Sequence, residues 1–306
     1  NADVVFVATE TSIINVETAR SLVLQAQSSP SQGLWRVIVV EDADRLGESG
    51  ANALLKAIEE PPEHTVWLLC APSPEDMIAT IRSRCRHLGL RIPTASAVAD
   101  LLVREGVATP EVALEAARAA QSHIGLARAL ARDPQMRERR RAIITAPASV
   151  RSVGEAVMAA DRLLETAKAQ ADAQVSERNA REKAELMRQL GMDEGESATK
   201  ASRTMIRQLE EDQKRRSKRA LTDAIDRALI DLLAIYRDVL MVQVGGDGEL
   251  INTDLADLVH EIAQDSTPRQ TLARVDHIET ARKRLVSNGN PLLVLEDMAI
   301  SLRPQA

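Results

Sequence analysis

The chain has 306 residues, more than a single domain of roughly 100–200 residues accounts for, so two or three domains are expected. Hydrophobic residues at 44% and charged residues at 27% supply enough apolar material for sizeable cores, which excludes global disorder. A net charge of -6, with aromatics limited to Phe6, Trp35, Trp67 and Tyr236, excludes both an all-over basic footprint and a base-stacking platform for single-stranded nucleic acid.

The first residues run straight into the apolar stretch Val4-Val5-Phe6-Val7-Ala8, so the chain reads as starting inside a domain. Apolar runs at Asp3–Ala8, Trp35–Val40, Val66–Ala71 and His87–Ile92 are short and bounded by turn or charge signals. Continuous runs of this kind predict strands buried on both faces, as in a parallel sheet. Between them, helices are expected from Asn15 through Leu24 and from Ser49 to Glu60, the second stopped by Pro61-Pro62. A third opens at Ser73-Pro74-Glu75-Asp76, with proline in the first turn and acids at the positive end of the dipole. Strand–helix alternation predicts an open α/β sheet over 1–93.

After Pro93 the strand pattern stops. Residues 94–147 predict a small helical domain: short amphipathic helices to about Leu130, interrupted near Gly106–Pro110 and Gln121–Ser122, with further breaks at Asp133-Pro134 and Ala146-Pro147. Residues 148–306 read as long helices, with Ile225, Leu229, Leu232, Leu233, Tyr236, Val239 and Leu240 striping one of them at helical spacing. Within that stretch, about 176–219 reads as a charged insertion, Gly191 to Lys200 as its flexible part, and Gly245-Gly246-Asp247-Gly248 as a loop. No window approaches about 18 uninterrupted apolar residues, so no membrane span or membrane partner is expected.

Several patterns carry chemistry. Val37-Ile38-Val39-Val40-Glu41-Asp42 delivers paired carboxylates at the end of a strand, where open α/β sheets place ligand groups. This resembles a Walker B motif, in which one acid helps hold Mg²⁺ and the next positions water; an ordinary strand ending in acids is the alternative. No GxxxxGK[ST] phosphate loop accompanies it, and Lys56 falls within a helix. Ser83-Arg84-Cys85 lies between a helix and the last apolar run, so Arg84 is placed either to reach a neighbour's phosphate site or simply within a solvated basic turn with Arg82 and Arg86. Cys70 and Cys85 match no metal spacing, and neither do His64, His87, His123, His260 and His277. The basic run Lys214–Arg219, with acids in Gln208–Asp212 just before it, reads as a solvated helical face with i,i+4 pairing; Arg137 and Arg139–Arg141 form a second basic cluster, and phosphate contact through such clusters is the alternative.

Taken in order, Val40-Glu41-Asp42-Ala43-Asp44-Arg45-Leu46, Asn52-Ala53-Leu54-Leu55-Lys56-Ala57-Ile58-Glu59-Glu60-Pro61-Pro62 and Thr80-Ile81-Arg82-Ser83-Arg84-Cys85-Arg86 resemble a bacterial clamp-loader subunit of the AAA+ superfamily, most closely the delta-prime type of DNA polymerase III. The resemblance is strong over about 35–93 and architectural beyond. It implies a partial AAA+ parallel-sheet domain, a helical lid and a C-terminal collar bundle for oligomer contacts. It also marks departures from the hydrolysing relatives. Their Asp-Glu order is reversed in Glu41-Asp42, the sensor position falls near Ala71-Pro72, and Gly125 stands where a sensor arginine is expected, with Arg128 one turn away.

Those departures imply a subunit that donates a finger rather than hydrolyses ATP itself. Arg84, flanked by Ser83 and Cys85, would act in trans on ATP and Mg²⁺ held by a gamma/tau-type ATPase neighbour. Glu41 and Asp42 are left as a degenerate nucleotide site, with no cofactor or metal held by this chain; a phosphate-loop region and a cysteine-bound zinc module are implied upstream. The implied partners are the gamma/tau-type and delta subunits, the sliding clamp and primer–template DNA, and the implied setting is the cytoplasm, at the nucleoid-associated replisome. An independent AAA+ helicase loader or remodelling ATPase, and a non-catalytic helical scaffold with a vestigial sheet, are the alternatives.

Overall fold

The computed structural model describes residues 2–7, 13–190 and 200–303. The chain divides into two compact units, Asn1–Leu90 and Arg91–Ala306.

In the first unit three parallel strands run in the order β1 (Val4–Val7), β2 (Arg36–Val40), β3 (Thr65–Leu69). Val4 lies opposite Val37, and Arg36 opposite Thr65. Helix α1 (Val16–Ala26) starts where the Asn15 side chain accepts the Thr18 N–H at 2.8 Å, a cap that satisfies one of the open first-turn donors. Helix α2 (Glu48–Glu59) ends immediately before Glu60-Pro61-Pro62, because proline disfavours helical backbone in the residue before it. The short α3 (Ala79–Arg82) follows a single 3-10 turn at Pro74–Asp76.

Leu22 of α1, Leu54 of α2 and Ile81 of α3 form one buried cluster with Ile38 and Val40. The alternating residues Val4, Phe6, Val66 and Leu68 are exposed on the opposite face. The expectation of strands buried on both faces is therefore corrected for the described residues, since all three helices pack on the Ile38/Val40 side. The strand expected at His87–Ile92 is also absent. That segment is irregular, and Leu88, Leu90 and Ile92 are 80%, 88% and 84% exposed. An extended apolar segment becomes a strand only with a ladder partner, and β3 pairs with β2 alone.

A clasp ties the start of the sheet to the α1–β2 connection. The buried Asp3 carboxylate accepts the backbone N–H groups of Ser31, Gln32 and Gly33 at 2.5, 2.7 and 2.6 Å, together with the Ser31 hydroxyl at 2.9 Å. Arg36 donates to the carbonyls of Ala2 and Ser29 at 3.0 and 2.9 Å. Four donors converging on Asp3 hold its carboxyl well below the usual carboxylate range, the Ser31 and Gln32 amides contributing most.

The second unit is helical throughout its described length. Helices α4 (Ala95–Arg104), α5 (Pro110–Ala119) and α6 (Ile124–Arg132) share a core of Val98, Leu102, Ala113, Ala116, Ala117, Ala127 and Leu130. They are separated where expected, at Gly106 and at Gln121–Ser122, all with positive φ. The break expected at Ala146-Pro147 is not formed: α7 runs from Pro134 to Ser149. Pro147 falls in its final turn, so the ring costs only a backbone bond near the frayed end.

Helices α8 (Val153–Gln189) and α9 (Lys200–Gln243) are 37 and 44 residues long. The capping box of Ser152 and Glu155 opens α8. The charged stretch about 176–219 contributes to both helices, while 191–199, most of the stretch expected to be flexible, lies outside the described residues. Helices α10 (Ala256–Gln264), α11 (Pro268–Val286) and α12 (Pro291–Ser301) complete the unit. The stripe of α9 is buried as its spacing predicts: Ile225, Leu229, Leu232, Ile235, Tyr236 and Val239 cluster with Ile278, Leu295 and Met298. Burial pushes the Tyr236 hydroxyl up to about 12, and the Arg274 guanidinium sits 5.8 Å over its ring. Among the described residues no helix is long and apolar enough to cross a membrane.

Candidate functional site

β2 ends at Val40 and hands on the paired acids. The Glu41 N–H still reaches the Val7 carbonyl at 2.9 Å, while its side chain is exposed. Asp42 has left the strand and lies 3.8 Å from Arg45 within a single 3-10 turn over Ala43–Arg45. Cys70, just past β3, donates its N–H to the Val40 carbonyl at 2.9 Å and accepts from Ala43 N–H at 2.8 Å. The acids and the segment Cys70-Ala71-Pro72 thus meet at one end of the sheet. Ala71 and Pro72 carry no side-chain donor or acceptor. Asp44 adds a buried Oδ1 without a hydrogen-bond partner among the described residues, which sequence reasoning did not single out.

Ser83-Arg84-Cys85 forms at the end of α3, and its residues divide the work. Ser83 closes the helix, donating its hydroxyl to the Thr80 carbonyl at 3.1 Å. Cys85 is half-buried against the first unit's core, and burial pushes its thiol up, so it packs rather than reacts. Arg84 is held by the protein's own groups. Its Nε donates to Glu59 Oε2 at 3.0 Å, and its Nη1 to the Thr80 carbonyl at 3.0 Å and the Ser83 hydroxyl at 3.4 Å. Arg84 is therefore anchored on α2 and α3 rather than on the acids of β2. Glu59 and Thr80 went unassigned in the sequence; the signal for Glu59 was its place in Glu59-Glu60-Pro61-Pro62, which puts it at the last position of α2.

In the second unit, Arg128 makes a two-pronged contact to Glu105, Nε and Nη2 each at 2.9 Å from a carboxylate oxygen. That hydrogen bonding holds the Glu105 carboxyl below its ordinary value. Gly125 stands one turn earlier, beside the His123 ring. The basic runs are likewise paired. Arg215 meets Glu211 at 3.9 Å and Arg216 meets Glu182 at 2.9 Å, while Arg140 is drawn inward to Asp231 at 3.1 Å. Among the described residues no group of three or more His, Cys, Asp or Glu stands where it could hold a metal ion.

Each candidate nucleotide-contacting group is described within its own unit. Asp42 faces Arg45, the sensor segment has no side-chain donor, and Arg128 is engaged by Glu105. The comparisons agree with the motif reading. A family model described as "DNA polymerase III, delta subunit" matches residues 1–94. The DNA polymerase III subunit delta' of Yersinia pestis is 43% identical over 82 residues, 27% of this chain and 24% of that protein. Its counterpart in Escherichia coli K12 is 35% identical over 117 residues, 38% of this chain and 35% of that protein. The matched segment is delta-prime-like. It is also 38% identical over 89 residues to the subunit gamma/tau of Mycobacterium tuberculosis H37Rv, covering 29% of this chain and 15% of that protein. The chain therefore spans 15% to 35% of the length of these relatives. One segment of it is thus similar to subunits of DNA polymerase III.

Proposed function

We propose that the chain is a delta-prime-type clamp-loader subunit that supplies Arg84 in trans to ATP and Mg²⁺ held by a neighbouring gamma/tau-type ATPase subunit. With that neighbour and a delta subunit, it helps place a sliding clamp on primer–template DNA, in the cytoplasm at the nucleoid-associated replisome. It does not hydrolyse ATP itself. The observation that carries the reading is the state of Arg84: Nε and Nη1 are fixed at home, while Nη2 has no partner among the described residues. A guanidinium presented this way adds positive charge where charge builds on a transferring phosphoryl group.

The two ends of the first unit support a donor role. At the Glu41-Asp42 end the segment Ala71-Pro72 offers no side-chain donor or acceptor, whereas at the other end Arg84 is held by Glu59, Thr80 and Ser83. The test is DNA- and clamp-stimulated ATP hydrolysis by the reconstituted complex carrying Arg84→Ala, with a thermal melt of the variant subunit. Slower hydrolysis with an unchanged melt is expected. Wild-type hydrolysis in a fully assembled complex refutes the trans role.

A further inference from the structure

We infer that Glu59 is a positioning residue for Arg84: it holds the guanidinium by its Nε edge so that Nη2 is the nitrogen offered outward. The inference rests on the donor reading of Arg84. It adds a residue from a different element, the last position of α2, to a function otherwise carried by the end of α3.

The geometry accounts for the guanidinium's donors almost completely. A guanidinium has five N–H groups in a rigid plane. The Nε donor goes to Glu59 Oε2 at 3.0 Å, and Nη1 goes to the Thr80 carbonyl at 3.0 Å and to the Ser83 hydroxyl at 3.4 Å. Only Nη2 is left. Thr80 and Ser83 are a single turn from Arg84 and come with α3, whereas Glu59 is 25 residues away in sequence. The Glu59 contact is therefore the one that orients the plane relative to the rest of the sheet unit.

An exposed ion pair of this kind contributes little to stability, and here Arg84 is 34% and Glu59 55% exposed. What it supplies is direction. A long arginine without a tether samples many rotamers, so the fraction of time it points at a neighbour falls, and with it the rate of a step that needs it in place. Lysine cannot replace the arrangement, because a single ammonium cannot be held on one edge and present another.

The experiment compares Glu59→Ala, Glu59→Gln, Arg84→Ala and the double variant Glu59→Ala/Arg84→Ala in the reconstituted complex, with assembly verified by co-purification and each subunit checked by thermal melt. Glu59→Ala is expected to lower the stimulated kcat several-fold, with the KM for ATP kept within about twofold. Glu59→Gln, which still accepts from Nε, should recover most of that loss, and the double variant should be no slower than Arg84→Ala alone. A Glu59→Ala complex as fast as or faster than wild type, beside an impaired Arg84→Ala, overturns the inference and leaves the donor reading intact. Losses that multiply in the double variant overturn it too. Wild-type rates in both single variants overturn the donor reading, and this inference with it.

Discussion

Arg140 of α7 and Asp231 of α9 form a nearly buried ion pair at 3.1 Å, and the same guanidinium reaches Asn252 Oδ1 at 2.6 Å. Asn252 in turn donates its backbone and side-chain N–H groups to the fully buried Asp238, at 2.8 and 2.9 Å. One arginine thus joins α7, α9 and the segment ahead of α10. Arg227 extends the link, pairing with Asp231 at 3.2 Å and donating to the Ala119 carbonyl at the end of α5. The small helices and the long ones are held as one body by this chain of bonds, and all of them fall within the single unit Arg91–Ala306.

Truncating that arginine should be costly. Arg140→Ala leaves Asp231 with Arg227 alone and Asn252 short of a donor, and a loss of about 2–4 kcal/mol in unfolding free energy is expected. Arg140→Lys should recover only part, since an ammonium cannot span both acceptors. Chemical denaturation of the three proteins, followed by helical circular dichroism, checks the order. An Arg140→Ala protein as stable as the parent contradicts the linking role.

Gly50 inverts an ordinary rule. It lies within α2, where alanine would normally stabilise by roughly 0.5–1 kcal/mol. A Cβ at this position would stand 2.9 Å from the Ile14 carbonyl oxygen, a backbone atom just ahead of α1. Gly50→Ala is therefore expected to destabilise, by about 1–3 kcal/mol, as overpacked sites do. A raised denaturation midpoint would show that α2 can retreat from the Ile14 backbone at little cost.

The Asp3 clasp predicts a pH dependence. The folded-state carboxyl is held below its unfolded value, so the stability it contributes is present above about pH 4 and is lost as pH falls through the folded value. The described first unit should therefore weaken on acidification below about pH 4. Asp3→Asn, whose amide turns an N–H₂ toward the Ser31–Gly33 donors, should be less stable at neutral pH and should lose less on acidification. Denaturation midpoints measured from neutral to acid pH in both proteins decide it. Parallel curves would mean that Asp3 is not the titrating group.

The chain itself should bind ATP without measurable saturation, because Glu41 and Asp42 come without a phosphate loop and Asp42 faces Arg45. Titration with a fluorescent ATP analogue in Mg²⁺ is the check. Saturable binding in the micromolar range would return the alternative of an independent ATPase.

Much of this was legible in the sequence, for identifiable reasons. Strands β1 to β3 were visible because each apolar run is short and closed by a charge or turn residue, and the α9 stripe because seven apolar residues recur at helical spacing. The motif segments were legible as types but not as neighbours. Nothing in the spacing of Glu59 and Arg84 reveals that α2 and α3 end side by side, since that depends on how both helices pack on the Ile38/Val40 face. His87–Ile92 misled because apolar content predicts the preference for a strand and not the presence of a partner ladder. The Arg139–Arg141 run misled in a similar way. Charge suggests solvent, but Arg140 is turned inward, nearly buried, towards Asp231 and Asn252.

The seam between the two longest helices has a mechanical consequence. Ala171 and Val175 of α8 close against Ala220 of α9, and Ala160 and Ala167 join Ala224 further along. Small side chains let helix axes come close, and they lose almost no rotamer freedom in doing so. Helix α9, at about 1.5 Å per residue over 44 residues, is roughly 66 Å long. The alanine seam therefore sets the angle between two long arms. Enlarging one of its alanines, as in Ala171→Leu, would spread the helices by only a small angle at the seam, yet the length of the arm would turn that angle into a much larger displacement at its far end.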